Sequence, residues 1–125
     1  MKVFEQNSAR IATAKRIKME QIQAYLCEKF HLPEDQVAEM LPKFMETLVS
    51  HMEKLHSATL SGDLERIGRA GHTMKGALLN LGLNDCADIA FDIERYGKEH
   101  DSSVDYAILV NELRAKLGEL LAEDE

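Results

Sequence analysis

One histidine of this 125-residue chain has neighbours that suit chemistry at its ring. His72 is followed by Lys75 and Gly76, which lie one turn further along if the segment is helical. A neutral imidazole nitrogen is nucleophilic near neutral pH. A phosphoryl group on that nitrogen would carry negative charge, which the Lys75 ammonium can stabilise. His72 is therefore the candidate phosphate acceptor.

The means of activating a phosphate donor is missing from this pattern. We expect no acid, no metal cluster and no nucleotide-binding loop beside His72. The residues thus offer an acceptor for phosphate but no means of activating ATP as its donor. The phosphoryl group must arrive from one partner protein and leave to another.

Three glycines surround His72, and each costs roughly 1 kcal/mol relative to alanine inside a helix. A helical wheel places Gly71 on the core side, where close packing explains it. The wheel places Gly68 and Gly76 on the outer side with His72. We interpret both as open space that gives a bulky group access to the ring. The core side of this helix consists of Leu64, Ile67, Gly71, Met74, Leu78 and Leu81.

The outer strip continues beyond the glycines. Leu79 is an apolar residue on a face that otherwise carries His72 and Lys75. An apolar position beside a charged one is typical of a docking surface, although single exposed leucines are common. We assign partner docking to Leu79 and Arg69.

A di-iron site is the enzymatic alternative. Glu28 with His31, and Glu53 with His56, form two Glu-x-x-His spacings of the kind found in di-iron bundles. Glu53 falls opposite the apolar stripe of its helix, and Glu28 lies off the apolar side of its own. Ligands that point to solvent on different helices cannot share a metal, so we predict no metal site. The remaining histidines lack the Lys-Gly context.

The elements that position these residues are predicted to be helices throughout, since apolar residues recur at helical spacing from about Ser8 onwards. Pro42 should kink the second helix or split it. Asn84 and Ser102, the latter with Asp105, are the expected caps of the last two helices. The first four predicted helices cover residues 8–30, 33–61, 63–81 and 84–97. The fifth follows the Ser102 cap, and its apolar side runs from Tyr106 to Leu121.

This pattern predicts an all-α fold: an antiparallel, up-down four-helix bundle with an additional N-terminal helix. We divide the chain into a basic helical extension, 1–32, and the bundle, 33–122. Gly62 and Gly82 are expected to end the second and third helices, and Asp63 to cap the third.

Composition restricts the class of protein further. The net charge of −7 argues against a general nucleic-acid binder. Residues 1–18 carry a net charge of +4, which suits a membrane surface or an acidic partner, but a solvated helix face is the reading we favour. No apolar run approaches a membrane span, and Cys27 and Cys86 are too isolated for zinc. We expect a cytoplasmic monomer.

The segment 72–82 resembles the signature of the histidine-containing phosphotransfer (HPt) family. It reads HTMKGALLNLG: a histidine, an apolar residue two positions on, Lys-Gly, and a second glycine six residues after the first. The Gly62-Asp63 turn and Ile93-Glu94 also match the family layout, and the resemblance spans roughly 34–121. Leu78, Leu79 and Cys86 depart from the residues usual at their positions.

The resemblance implies that His72 is phosphorylated, that Lys75 steadies the phosphoryl group and that Gly76 keeps the ring accessible. Partners would be receiver domains of response regulators and hybrid sensor histidine kinases. The receiver's aspartate and Mg²⁺ would supply the transfer machinery, so the chain needs no cofactor of its own and no kinase activity. The alternative is a non-catalytic helical adaptor that docks a response regulator.

Overall fold

Five helices make up the part of the chain that a computed structural model describes, residues 19–118 and 120. No strand forms within this part, and the all-α prediction is confirmed. Residues 8–18 of the predicted first helix, and most of the basic extension, lie outside the described residues. The helices are α1 (Met19–Phe30), α2 (Glu34–Ser61), α3 (Leu64–Asn80), α4 (Asn84–Lys98) and α5 (Tyr106–Lys116).

Helices α2 to α5 form the bundle, and α1 packs against α2 as the additional helix. The connections after α2 and α3 are only two or three residues long, which makes successive helices antiparallel. Ile22 and Leu26 of α1 are buried in the common core. None of the described helices combines the length and hydropathy that a bilayer span requires. The largest fully buried side chains of the bundle are Val37, Leu48, Leu55, Ile67, Met74, Leu78, Ile93, Val110, Leu113 and Leu117.

Two glycine turns set the ends of α3, as the sequence predicts. Gly62 ends α2 with φ +75°, and the Asp63 carboxylate caps α3 by accepting a hydrogen bond from the Arg66 backbone N–H at 3.2 Å. Gly82 follows α3 with φ +76°. The Tyr25 ring lies so close that a Cβ on Gly82 would stand 2.6 Å from it. Helix α1 is therefore fastened to the α3–α4 turn.

Pro42 lies inside α2, which runs unbroken from Glu34 to Ser61. The alternative of a split helix is wrong. Proline removes the hydrogen bond that would reach the carbonyl of Ala38. Both residues are exposed, so water can satisfy that carbonyl.

Two predicted caps are also wrong. Asn84 is the first residue of α4, and Leu83 holds the cap position without a side-chain hydrogen bond. Asp105 rather than Ser102 caps α5, since its carboxylate accepts from the Ile108 backbone N–H.

Gly68 is buried, and its predicted place on the outer side of α3 is wrong. It faces Gly97 of α4, where a Cβ would stand 2.7 Å from the Gly68 backbone. Gly71 repeats the contact one turn later, since its Cβ would stand 2.8 Å from the backbone nitrogen of Glu94. We call these three glycines the glycine seam. Their small size lets the backbones of α3 and α4 touch, and this aligns the two helices that carry the candidate site.

Candidate functional site

His72 projects from the middle of α3, and 62% of its side-chain surface is exposed. The backbone one turn further on is bare, because a Cβ on Gly76 would meet no atom within 4 Å. The ring is therefore reachable from solvent on the Gly76 side. On the Gly68 side it adjoins α4 instead of open space.

A carboxylate lies directly beside the imidazole, so the expectation that no acid accompanies His72 is wrong. Glu94 Oε2 of α4 is 2.8 Å from His72 Nδ1. Glu94 is only 5% exposed and is the one buried charged residue among those described. The sequence held a signal for it. Glu94 lies four residues after Ala90 and three before Gly97, on the buried stripe of α4, where an ionised side chain needs partners.

Two lysines provide the further partners of Glu94. Lys98 Nζ donates to Oε2 at 2.8 Å, the same oxygen that contacts His72. Lys75 Nζ lies 2.7 Å from Oε1. This short contact places the Lys75 ammonium directly against Oε1. Lys98 is a site residue that sequence reasoning missed, because only the fold brings it to His72.

The charge state of Glu94 follows from this surrounding. Burial alone raises the pKa of its carboxyl, but Lys75, Lys98 and His72 at hydrogen-bonding distance outweigh burial and lower the pKa to about 2. Glu94 is therefore an acceptor at neutral pH. A neutral His72 must then carry its proton on Nδ1 and donate it to Glu94, which leaves the lone pair on Nε2. The nucleophilic nitrogen is the one turned away from the carboxylate.

Lys75 is held between two groups of α4. Its ammonium contacts Glu94 on one side and lies 5.2 Å from the centre of the Phe91 ring on the other. Phe91 is exposed, as is Leu79 one turn after Lys75. Together Leu79 and Phe91 place apolar surface on this flank of the site. Arg69, one turn before His72, is exposed and forms a 3.4 Å ion pair with Glu65.

A groove of about 800 Å³ opens on the other flank of His72, between α1, α2 and α3. Its lining is mostly apolar and includes Phe44 and Ala77, with Lys29 and Lys43 among its charged residues. We call it the apolar groove. It begins at the imidazole and Gly76, so a protein that reaches His72 also meets this surface.

The two Glu-x-x-His pairs do not converge. Glu28, His31, Glu53 and His56 are all exposed. Among residues 19–118, no three His, Cys, Asp or Glu side chains are grouped so that they could hold a metal ion. The Glu94 carboxylate already contacts two ammonium groups and an imidazole, and this surrounding is unsuited to a metal cation.

The family model described as Hpt domain matches residues 39–123, more than half of the chain. The match includes His72, Lys75, Glu94 and Lys98. Neither the curated proteins nor the solved structures contain a significant match.

Proposed function

Because the chain belongs to the Hpt domain family, whose members serve phosphotransfer in two-component signalling, we propose that it relays a phosphoryl group between receiver-domain aspartates through His72. The observation that carries this proposal is the hydrogen bond between His72 Nδ1 and the ionised Glu94. It supports Nε2, on an exposed ring, as the attacking atom.

The bonds and charges of the transfer step are accounted for by His72, Glu94 and the aspartate of the receiver. The Nε2 lone pair attacks the phosphorus of an aspartyl phosphate on the receiver. The N–P bond forms as the P–O bond to the aspartate breaks, and the aspartate leaves as a carboxylate. His72 keeps its Nδ1 proton, so the ring becomes positively charged, and Glu94 offsets that charge from 2.8 Å. The same hydrogen bond serves the return step, in which the ring is the leaving group.

The charge of the phosphoryl group itself requires a cation. Lys75 lies one turn from His72 and is pre-oriented by Glu94 and Phe91. In our proposal its ammonium steadies the phosphoryl oxygens, and Gly76 leaves room for the receiver to approach. Leu79 and Arg69 belong to the docking surface.

The partners in this proposal are receiver domains of response regulators and a hybrid sensor kinase. The receiver would hold the Mg²⁺, which would supply positive charge for the phosphoryl group. The chain itself acts as a carrier without kinase activity, in the cytoplasm and as a monomer. Residues 33–122 form the phosphotransfer unit, with residues 1–32 as a helical extension.

The experiment is transfer from a receiver domain labelled with radioactive acetyl phosphate. The wild-type chain should acquire label with the acid lability and base stability of phosphohistidine. His72→Gln should acquire none, whereas His56→Gln, an exposed histidine on α2, should behave as wild type. A non-catalytic adaptor would instead bind receivers without taking label, and label on His72→Gln would refute the assignment of the site.

A further inference from the structure

A second groove, of about 440 Å³, lies between α2 and α3 beside the candidate site. Its charged lining consists of Lys54, Arg66 and Arg69. It meets the apolar groove at His51 and Thr73, which line both. We call it the basic groove. The two grooves thus adjoin: the first is lined mostly by apolar residues, the second carries three cations, and His72 lines the first beside the junction.

The basic groove stands out against the charge of the whole chain. The protein carries −7, yet none of the acidic side chains that the structure describes lines this groove. Lys54 and Arg66 form no ion pair with any residue of the described part. The pair between Arg69 and Glu65 is 3.4 Å long and about two-thirds exposed at both ends, so it neutralises little. Within residues 19–118 and 120, three positive charges are therefore left without effective compensation.

A polar atom at the junction is also unused. His51 Nδ1 is buried and has no hydrogen-bond partner among the described residues. Burial, together with the nearby Lys54 charge, lowers the pKa of His51, so its ring is neutral at physiological pH. The groove therefore owes its positive charge to Lys54, Arg66 and Arg69.

A partner that reaches His72 must cover these cations. A stable protein interface covers about 800 Å² on each side, far more than one imidazole and its neighbours. Arg69 lies one helical turn before His72, and Thr73, which also lines the basic groove, directly follows His72. Covering Arg and Lys without opposite charge is unfavourable, whereas carboxylates placed there add attraction and fix orientation.

We infer that the basic groove receives carboxylate side chains of the receiver partner and orients it on His72. This inference rests on the proposed function. The partner's contact surface then has an acidic end over Lys54, Arg66 and Arg69, and an apolar end over Phe44 and Ala77. In this arrangement the positive charges of the basic groove select and steer the receiver, and contacts in the apolar groove keep it bound.

The test compares Lys54→Glu/Arg66→Glu with Arg114→Glu, a charge reversal at an exposed position of α5 that lines neither groove. The donor is the receiver domain that transfers fastest to the wild-type chain in a panel phosphorylated by acetyl phosphate. We expect the double variant to raise the half-saturating receiver concentration at least tenfold, with less than a twofold change in maximal rate. Arg114→Glu should change the half-saturating concentration less than threefold.

Ionic strength gives a second readout. The wild-type rate at subsaturating receiver should fall steeply between about 0.03 and 0.3 M salt, and the rate of the double variant should be nearly flat. Thermal unfolding of each variant shows whether the fold is kept. If the double variant misfolds, Lys54→Gln and Arg66→Gln separately should each raise the half-saturating concentration in the same direction.

Three results would overturn the inference. One is equal half-saturation for the double variant and Arg114→Glu. Another is a fall in maximal rate with unchanged half-saturation. The third is binding of inorganic phosphate or ATP to the groove, seen as shifts at Lys54 and Arg66, with transfer unaffected by either substitution. Failure of the wild-type chain to take label from any receiver would instead refute the proposed function.

Discussion

The His72 imidazole and the Glu94 carboxylate meet across two helices, with Nδ1 and Oε2 2.8 Å apart. One is largely exposed and the other nearly buried, and 22 residues separate them in the chain. The exposed member can meet a partner, while the buried member stays ionised because two lysines accompany it. We therefore expect the reactivity of His72 to depend on a residue that is itself nearly buried.

Replacing Glu94 by Gln should slow transfer to and from His72 about 10- to 100-fold. The amide keeps the shape but loses the charge that supports the positively charged ring, and a hydrogen bond to a charged group is worth roughly 1.5–3 kcal/mol. The measurement is the second-order transfer rate with a labelled receiver. Glu112→Gln, exposed on α5, is the control. Equal rates for the two variants would show that the carboxylate has no part in the transfer.

Stability should fall in acid through the same carboxyl. The pKa of Glu94 lies at about 2 in the folded chain, against 4.5 as its ordinary value. A lowered pKa stabilises the fold above about pH 4.5, and the contribution disappears as pH falls towards 2. The shift corresponds to about 3 kcal/mol. Urea unfolding at pH 7, 4 and 2 should show this loss in wild type but not in Glu94→Gln, and parallel profiles would contradict the prediction.

Lys75 and Lys98 should differ in how much they contribute to the rate of phosphoryl transfer. Lys75 is 25% exposed and Lys98 is 58% exposed, so solvent screens Lys98 more strongly. We expect Lys75→Met to slow transfer about tenfold or more and Lys98→Met no more than about fivefold. Rates with one receiver under identical conditions provide the comparison. A larger defect in Lys98→Met would mean that Lys98, and not Lys75, is the main cation for the phosphoryl group.

Alanine should have opposite effects at two glycines of α3. At Gly76 the added methyl meets open space, so Gly76→Ala should stabilise the protein by roughly 0.5–1 kcal/mol through helix propensity. At Gly71 the methyl would stand 2.8 Å from the Glu94 backbone, so Gly71→Ala should destabilise it, by about 2 kcal/mol. Thermal and urea unfolding measure both. Stabilisation by both substitutions would argue against backbone contact between α3 and α4.

Several local features of this fold could be predicted from sequence, although two helix caps could not, and contacts between helices could not. The Gly62-Asp63 turn, the stop at Gly82 and the outward direction of His72 depend on residues within one or two turns. A helical wheel places Gly68 on the outer side of α3 because it shows where apolar residues gather, not how widely a neighbouring helix covers the surface. It is buried because Gly97 also lacks a side chain and lets α4 approach.

Glu94 and Lys98 illustrate the same limit at the site. A charged residue on the apolar stripe of α4 indicates that partners exist but does not say which residues they are. Their identity depends on the register between α3 and α4, which the positions of Gly71 and Gly97 determine. The sequence motif around His72 contains no residue of α4, so it could not indicate the α4 half of the site, Glu94 and Lys98.

The glycine seam makes the site sensitive to helix sliding. A shift of α4 along α3 by one residue, about 1.5 Å, would separate Nδ1 from Oε2 beyond hydrogen-bonding distance. A larger side chain at position 97, one turn after Glu94, would force such a shift although every reactive side chain is still present. Inactive natural variants of this protein should therefore include changes at positions that touch neither phosphate nor partner, and an inventory of reactive residues alone would miss them.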